Sequence, residues 1–269
     1  MLRVGIAFAT LSALFLLMKI PFKLPLRTSA LLWLQGLIAQ GVAFILLFWG
    51  EQYIAPALAS IINSMVPIWV LLINGLILRQ KKTFTLKKTL GIILGFLGIF
   101  VIFEPLLSIQ KNMMTLLGGL SVTGMAIAYA VGAILYQRLF SQAESINFKA
   151  SIWHQHLGSF VFLFFFSIFS NEWPQQNIFS THLLNAWLAI LYLGVFSTAF
   201  AWMIYSYLIL KWGTIRAVSV LYIVPVFAIV WDTLFLHINM HFYDFLGITM
   251  ILLGVFFVQR SSSKQPIKV

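Results

Sequence analysis

The sequence predicts an all-α integral membrane protein, an inverted-repeat helical bundle of nine spans. Three observations carry that prediction. Of 269 residues, 61% are hydrophobic and 9% charged, against about 25% charged in an ordinary soluble domain. Apolar runs fill the chain from end to end, each near the roughly 20 residues that a spanning helix needs. The stretch Gly36 to Gly98 also returns, weakly but in order, from Gly194 to Gly254. Gly36, Pro67 and Asn74 stand 158 positions before Gly194, Pro225 and Asp232, and Gly91 and Gly98 stand 156 before Gly247 and Gly254. Lipid offers the backbone no partners, so only helices or a closed barrel can span it. These runs are too long and too little alternated for barrel strands.

The elements follow in order. Residues 3–18 are short and apolar, like a signal-peptide core. No small-residue cleavage site follows, and Lys19, Lys23 and Arg27 come directly after, so this is read as a retained helix. Helix 30–49 carries Gln35 and Gln40, polar groups that line a cavity or bond across helices. Helix 56–78 holds Asn63, Pro67, Trp69 and Asn74. Helix 89–103 carries the strip Gly91, Gly95 and Gly98, a close-packing face used inside the protein or in a homodimer. Helices 117–137 and 150–170 come next, the latter opening with Trp153, His154, Gln155 and His156. The two histidines diverge by about 200° on a helix, so they cannot share a metal from one face, and this run is expected at the membrane interface. Helices 184–208, 214–236 and 245–259 complete the chain.

The basic residues test this reading. The odd-numbered loops and the tail collect 15 of the 17 lysines and arginines, leaving only Arg3 and Lys111 on the other side. Cytoplasmic loops accumulate such residues. The C-terminus is therefore expected in the cytoplasm and the N-terminus outside, in a multi-pass protein of the bacterial inner (plasma) membrane. The net charge of +11 then needs no nucleic-acid partner. Trp33, Trp49, Tyr53, Trp153, Trp173, Trp187 and Trp212 fall near predicted helix ends, where amphipathic rings favour the interface. The chain has no cysteine, which excludes disulfides, thiolate metal sites and cysteine nucleophiles. It also lacks the GxxxxGK[ST] loop and the HExxH pair. No enzyme, metal or cofactor is expected.

The helix with Gly36 starts on the basic side and the helix with Gly194 on the opposite side. The copies are thus inverted, which is the repeat architecture of secondary transporters and of alternating access. The first copy, 1–110, holds four helices and the second, 111–260, holds five, followed by the tail 261–269. A complete pair would need one more helix before residue 3.

Trp49 to Leu78, WGEQYIAPALASIINSMVPIWVLLINGLIL, resembles the third-to-fourth helix region of the EamA-type drug/metabolite transporters. Leu210 to Leu236, LKWGTIRAVSVLYIVPVFAIVWDTLFL, resembles the matching region of that family's second repeat. LGIILGFLGIFVI and LGITMILLGVFFV resemble the closing helix of each repeat. The resemblance implies ten helices as five plus five and export of small metabolites, often amino acids or related compounds. It further implies a cavity built by the first, third and fourth helices of each repeat. Family members commonly keep a glutamate just after the fourth helix of each repeat. Here those zones read RQKKTF and HINMHF, without an acid.

Candidate site residues come from the helices themselves. Pro67 and Pro225 each delete a backbone hydrogen bond at mid-helix, shaping a cavity or simply kinking the helix. Asn63, Pro67 and Asn74 share a helix face, and Pro225 and Asp232 repeat the later part of that stripe. Asp232 is the only acid within a predicted span. Burying it costs on the order of 2.5–3.5 kcal/mol at the bilayer centre, so it is read either as an amine counter-ion or proton carrier, or as an acid that reaches the outer interface. Trp49, Tyr53, Trp69, Tyr222 and Trp231 are candidates for an aromatic cavity wall, with Tyr222 the strongest. Two readings of function stay open. One is a carrier for small amino-acid-like or amphipathic solutes, with or without proton coupling, working between helices 30–49 and 56–78 and their counterparts. The other is a non-transporting membrane interaction protein derived from such a carrier.

Overall fold

The computed structural model describes residues 1–54, 56–78, 85–103, 113–142, 146–170, 184–224, 226–227, 230, 234 and 241–260. Among them there is no strand. Helix α1 is Leu2–Leu17. Helix α2, Leu26–Gly36, passes through a π-helical segment, Leu37–Val42, into α3, Ala43–Gly50. Then come α4 (Pro56–Asn63), α5 (Val66–Leu72) and a second π-helical segment, Ile73–Ile77. Helices α6 (Leu86–Phe103), α7 (Met113–Gln142) and α8 (Phe148–Phe169) follow. Helix α9, Leu184–Gly194, runs through the π-helical segment Val195–Phe200 into α10, Ala201–Trp212. Helix α11 is Thr214–Val218, continued by a 3-10 turn at Ser219–Tyr222, and α12 is Phe242–Arg260.

Among the described residues, six stretches are long and apolar enough to cross a membrane: Leu26–Gly50, Leu58–Ile77, Met113–Gln142, Phe148–Phe169, Leu184–Trp212 and Phe242–Arg260. Helix α1 is apolar but shorter. Local chemistry sets several boundaries. Asn147 caps α8, its side chain accepting from the amides of Lys149 and Ala150 at 3.0 and 3.2 Å, as a helix N-cap does. Gly213, with φ 83°, makes the left-handed step that separates α10 from α11. Pro67 sits in the first turn of α5 and the chain turns at Ser64 and Met65. Lacking an N–H, this proline cannot continue the α4 hydrogen-bond ladder.

The helices form two compact units. One draws on Met1–Gly41 and Leu135–Lys211, the other on Val42–Ile134 and Trp212–Pro266. Neither coincides with a sequence copy; each takes helices from both. In the first unit α1 and α2 pack on α8, and α1 also packs on α9 and the segment after it. Helices α2 and α8 rise together, Trp33 meeting His154 and Gln40 meeting Ser159. Helix α1 runs against α8, with Phe8 stacked on Phe160 and Ser12 bonded to Trp153.

In the second unit α3 runs against α7, Ser121 Oγ donating to the Leu46 carbonyl at 2.7 Å. Ile61, Ile99, Ile102, Tyr222 and Ile251 form a buried core there. Beside that core the closing helices of the two copies, α6 and α12, run antiparallel. A Cβ on Gly91 would lie 2.6 Å from the Gly254 carbonyl oxygen, and one on Gly98 would lie 2.6 Å from that of Gly247. The pairing is crossed: each glycine meets the counterpart of the other, as a two-fold joint requires. Gly95 is covered by the Tyr222 ring, 2.7 Å from where its Cβ would be. The glycine strip is therefore used inside the chain.

Candidate functional site

The residues singled out from sequence fall in several places. Pro225, Trp231 and Asp232 lie outside the described residues. Asn63, Pro67 and Trp69 flank the break between α4 and α5. Asn63 Oδ1 and Trp69 Nε1 are both buried without a hydrogen-bond partner. Asn74, 6% exposed, donates weakly to Thr214 Oγ1 at 3.5 Å. Tyr222 is fully buried in the isoleucine core, its hydroxyl donating to the Ile92 carbonyl at 3.1 Å. Trp49 is 40% exposed and leans on Tyr53 with ring centroids 5.0 Å apart. Gln40 belongs to the first unit and is fully buried.

Gln40 joins a polar cluster that sequence reasoning placed elsewhere. The run at the start of α8 was expected at the interface, yet His154, Gln155 and His156 are all buried. The reason is geometric. Close backbone approach of α2, with Gly36 against the Gln155 carbonyl and Gly158 against Trp33, covers one side of α8, and α10 supplies Trp202.

Hydrogen bonds assign each atom's role. His154 Nε2 meets the Phe22 carbonyl at 2.9 Å and its Nδ1 meets Trp33 Nε1 at 2.9 Å. A carbonyl only accepts and an indole N–H only donates, so His154 is neutral with the proton on Nε2, and it ties the segment after α1 to α2. His156 Nδ1 faces the Ile152 carbonyl at 2.9 Å, so it carries the proton. The other nitrogen, Nε2, is buried without a well-aligned hydrogen bond, with the Thr198 backbone beside the ring. Gln155 Oε1 accepts from Trp202 Nε1 at 3.0 Å and Gln40 Oε1 accepts from Ser159 Oγ at 3.1 Å. Gln40 Nε2 is left buried with no acceptor, and the Gln155 amide nitrogen makes no well-aligned bond although the Tyr136 hydroxyl lies beside that side chain.

Buried polar atoms are nearly always paired. Here two donors and one acceptor sit unpaired within two turns of α8 and on the facing π-helical segment. Atoms left unpaired in this way are available for hydrogen bonding to a bound group. They offer N–H groups to a carboxylate or carbonyl and a lone pair to an N–H.

The π-helical segments frame this cluster. Leu37–Val42 and Val195–Phe200 are 158 positions apart, each directly after the repeated glycine, Gly36 or Gly194. Single π turns inside α-helices concentrate at functional sites. Thr198 bridges the second one, its hydroxyl donating to the Leu193 carbonyl at 2.9 Å and accepting from Arg3 Nε at 2.6 Å. Helical regularity is also lost just before the proline of each copy. The chain turns at Ser64–Met65 before Pro67, and a 3-10 turn, Ser219–Tyr222, precedes Pro225. Gln155, His156 and Trp202 were missed as site residues. The signal available was four consecutive polar or aromatic residues inside an otherwise apolar span.

Comparison with known proteins agrees with this architecture. The model of the EamA-like transporter family matches residues 1–104 and again 116–260. The chain is 27% identical over 228 residues to the uncharacterized transporter YoaV of Bacillus subtilis, covering 83% of this chain and 72% of that one. It is 28% identical over 225 residues to an uncharacterized transporter of Archaeoglobus fulgidus, covering 84% and 75%. A solved structure titled "Crystal structure of protein" superposes with a TM-score of 0.76 over 97% of this chain and 87% of the other, at 14% identity, so it shares the fold. With family matches over both copies, the chain belongs to the EamA-like transporter family, in the drug/metabolite transporter superfamily.

Proposed function

We propose that this membrane transporter is a secondary carrier that exports small amino-acid-like or amphipathic metabolites by alternating access, with no enzymatic step. The observation that carries the reading is the set of unpaired buried atoms, Gln40 Nε2, Gln155 Nε2 and His156 Nε2, next to π-helical segments that recur in both copies. A solute bearing a carboxylate or carbonyl together with an N–H would complete all three. The crossed packing of α6 on α12 supports the inversion on which alternating access depends. Within the other unit, the unpaired Asn63 and Trp69 atoms at the α4–α5 break, with Pro67, Asn74, Trp49 and, from the sequence alone, Pro225 and Asp232, are a separate set of candidate solute-contacting residues. Tyr222 enters as a residue that positions α6.

Counterflow into proteoliposomes with a panel of amino acids and related metabolites tests the proposal. At least one solute should exchange, and Gln155→Leu should lower that exchange at least tenfold while leaving the protein folded. A folded protein that exchanges nothing in the panel would favour the non-transporting reading.

A further inference from the structure

The two π-helical segments are approached in the same way. Gly36 admits the backbone of α8, its Cβ position falling on the Gln155 carbonyl. Gly194 admits that of α1, its Cβ position lying 2.6 Å from Ile6 Cγ2 and 3.1 Å from the Arg3 carbonyl oxygen. One turn after each glycine, a polar side chain of the π-helical segment accepts from the helix so admitted. Gln40 Oε1 accepts from Ser159 Oγ at 3.1 Å, and Thr198 Oγ1 accepts from Arg3 Nε at 2.6 Å. In the second joint Arg3 thus holds the place that Gln155 holds in the first. All of these residues belong to the first unit.

The second contact differs in being charged. Arg3 is the only charged residue of α1, and an ionised group set among apolar helices is costly and marks function by default. Its guanidinium forks across the π-helical segment, Nε donating to Thr198 Oγ1 and a terminal nitrogen to the Ser197 carbonyl at 3.4 Å. The Thr198 hydroxyl donates in turn to the Leu193 carbonyl at 2.9 Å, five positions back. That is the spacing a π turn closes and an α turn does not. A charged donor makes the stronger hydrogen bond, so Arg3 fastens this turn in its π form. What it fastens is the aim of α10. Trp202, one turn beyond Thr198 on the same continuous helix, donates through Nε1 to Gln155 Oε1 at 3.0 Å, and its ring stands perpendicular to that of His156 with centroids 6.5 Å apart. Relaxing a π turn to an α turn slips the register by one residue, which rotates every later side chain by about 100°. Trp202 would then leave Gln155. We propose that Arg3 is a positioning residue for solute binding, which holds the π turn after Gly194 closed and so keeps Trp202 on Gln155 and His156. The effect on exchange rests on the transport reading; the effect on Trp202 does not.

The test uses the full chain in detergent with its nine tryptophans isotope-labelled at the indole nitrogen, each giving one N–H signal by NMR. Trp202→Phe and Trp33→Phe assign two of the signals. Arg3→Gln and Thr198→Val should each shift the Trp202 signal and leave that of Trp33, which is bonded to His154, in place. Thr198→Ser, which keeps the hydroxyl, should leave both at their wild-type positions. Exchange should fall about tenfold with Arg3→Gln and Thr198→Val, and stay near wild type with Thr198→Ser and with Arg260→Gln, at the exposed end of α12. An unmoved Trp202 signal in folded Arg3→Gln overturns the proposal. So does an equal movement of the Trp33 signal, which marks general loosening, or a Thr198→Ser loss as large as that of Thr198→Val. A selective Trp202 shift in a chain that exchanges no solute removes the carrier reading and leaves the positioning role standing. Should Arg3→Gln not fold, Thr198→Val against Thr198→Ser decides by the same signal.

Discussion

Gly36→Ala probes the polar cluster most directly. A Cβ at this position would fall on the Gln155 carbonyl, 2.7 Å from its carbon and 2.9 Å from Gln155 Cα. Ordinary contact begins at 3.4 Å, so clearing the carbonyl carbon alone requires α2 and α8 to part by about 0.7 Å, and the nearer carbonyl oxygen requires more. The obstacle is backbone, so no side chain can swing aside. One turn further on, Gly158 faces Trp33 Cα with the same lack of room, at 2.5 Å. Overpacking of this kind costs about 1–3 kcal/mol, and a backbone clash belongs at the upper end. Alanine recovers about 1 kcal/mol over glycine inside a helix, which leaves a net loss of about 2 kcal/mol. Gly119→Ala, on α7, is the matched control, because nothing lies within 4 Å of its Cβ position. That variant should gain up to about 1 kcal/mol, so the pair should differ by about 3 kcal/mol. Thermal unfolding of both variants in the same detergent measures the difference, and counterflow measures the accompanying loss of exchange. Gly36→Ala unfolding at or above the Gly119→Ala temperature, with wild-type exchange, would refute the close α2–α8 approach.

Gln40→Leu should leave stability nearly unchanged, since it removes a buried donor that lacks an acceptor and Ser159 Oγ, on losing Gln40 Oε1, keeps the His156 carbonyl, while exchange falls at least tenfold; unaltered exchange would make Gln40 a packing residue. Tyr222→Phe gives up the bond to the Ile92 carbonyl and should lower stability by about 1 kcal/mol. Exchange per folded molecule should stay near wild type, and a selective loss of exchange would return this hydroxyl to the solute path. If Asp232 carries the coupling proton, Asp232→Asn should abolish the dependence of exchange on pH, and a retained dependence rejects that role.

Much of the fold was legible because membrane insertion leaves coarse marks. Long apolar runs and the one-sided lysines and arginines located the helices, and paired glycines exposed the duplication. The partner of the Gly91 strip was not legible, because two antiparallel helices of separate copies must be brought together before one sees Gly254 and Gly247 fill it. The candidate site was legible only as a set of unusual residues. Gln40, Asn63 and Trp69 stood out as polar or amphipathic groups in apolar spans, and each has a buried atom without a partner. Gln155 and His156 were read as interfacial because polarity near a helix end has that meaning when nothing covers it. What covers them is α2, admitted by two glycines whose role depends on the tertiary approach. The π-helical segments left no mark in composition; only their recurrence after Gly36 and Gly194 identifies them.

The crossed joint between α6 and α12 has a consequence for how such a chain can be cut. Each half carries both faces of the same clasp, so complementarity does not reside in the peptide that links them. Two fragments divided between α6 and α7 and produced together retain everything needed to recognise one another along that seam. A fragment expressed alone would present a bare glycine groove that a second copy of itself, inserted the other way up, is shaped to fill.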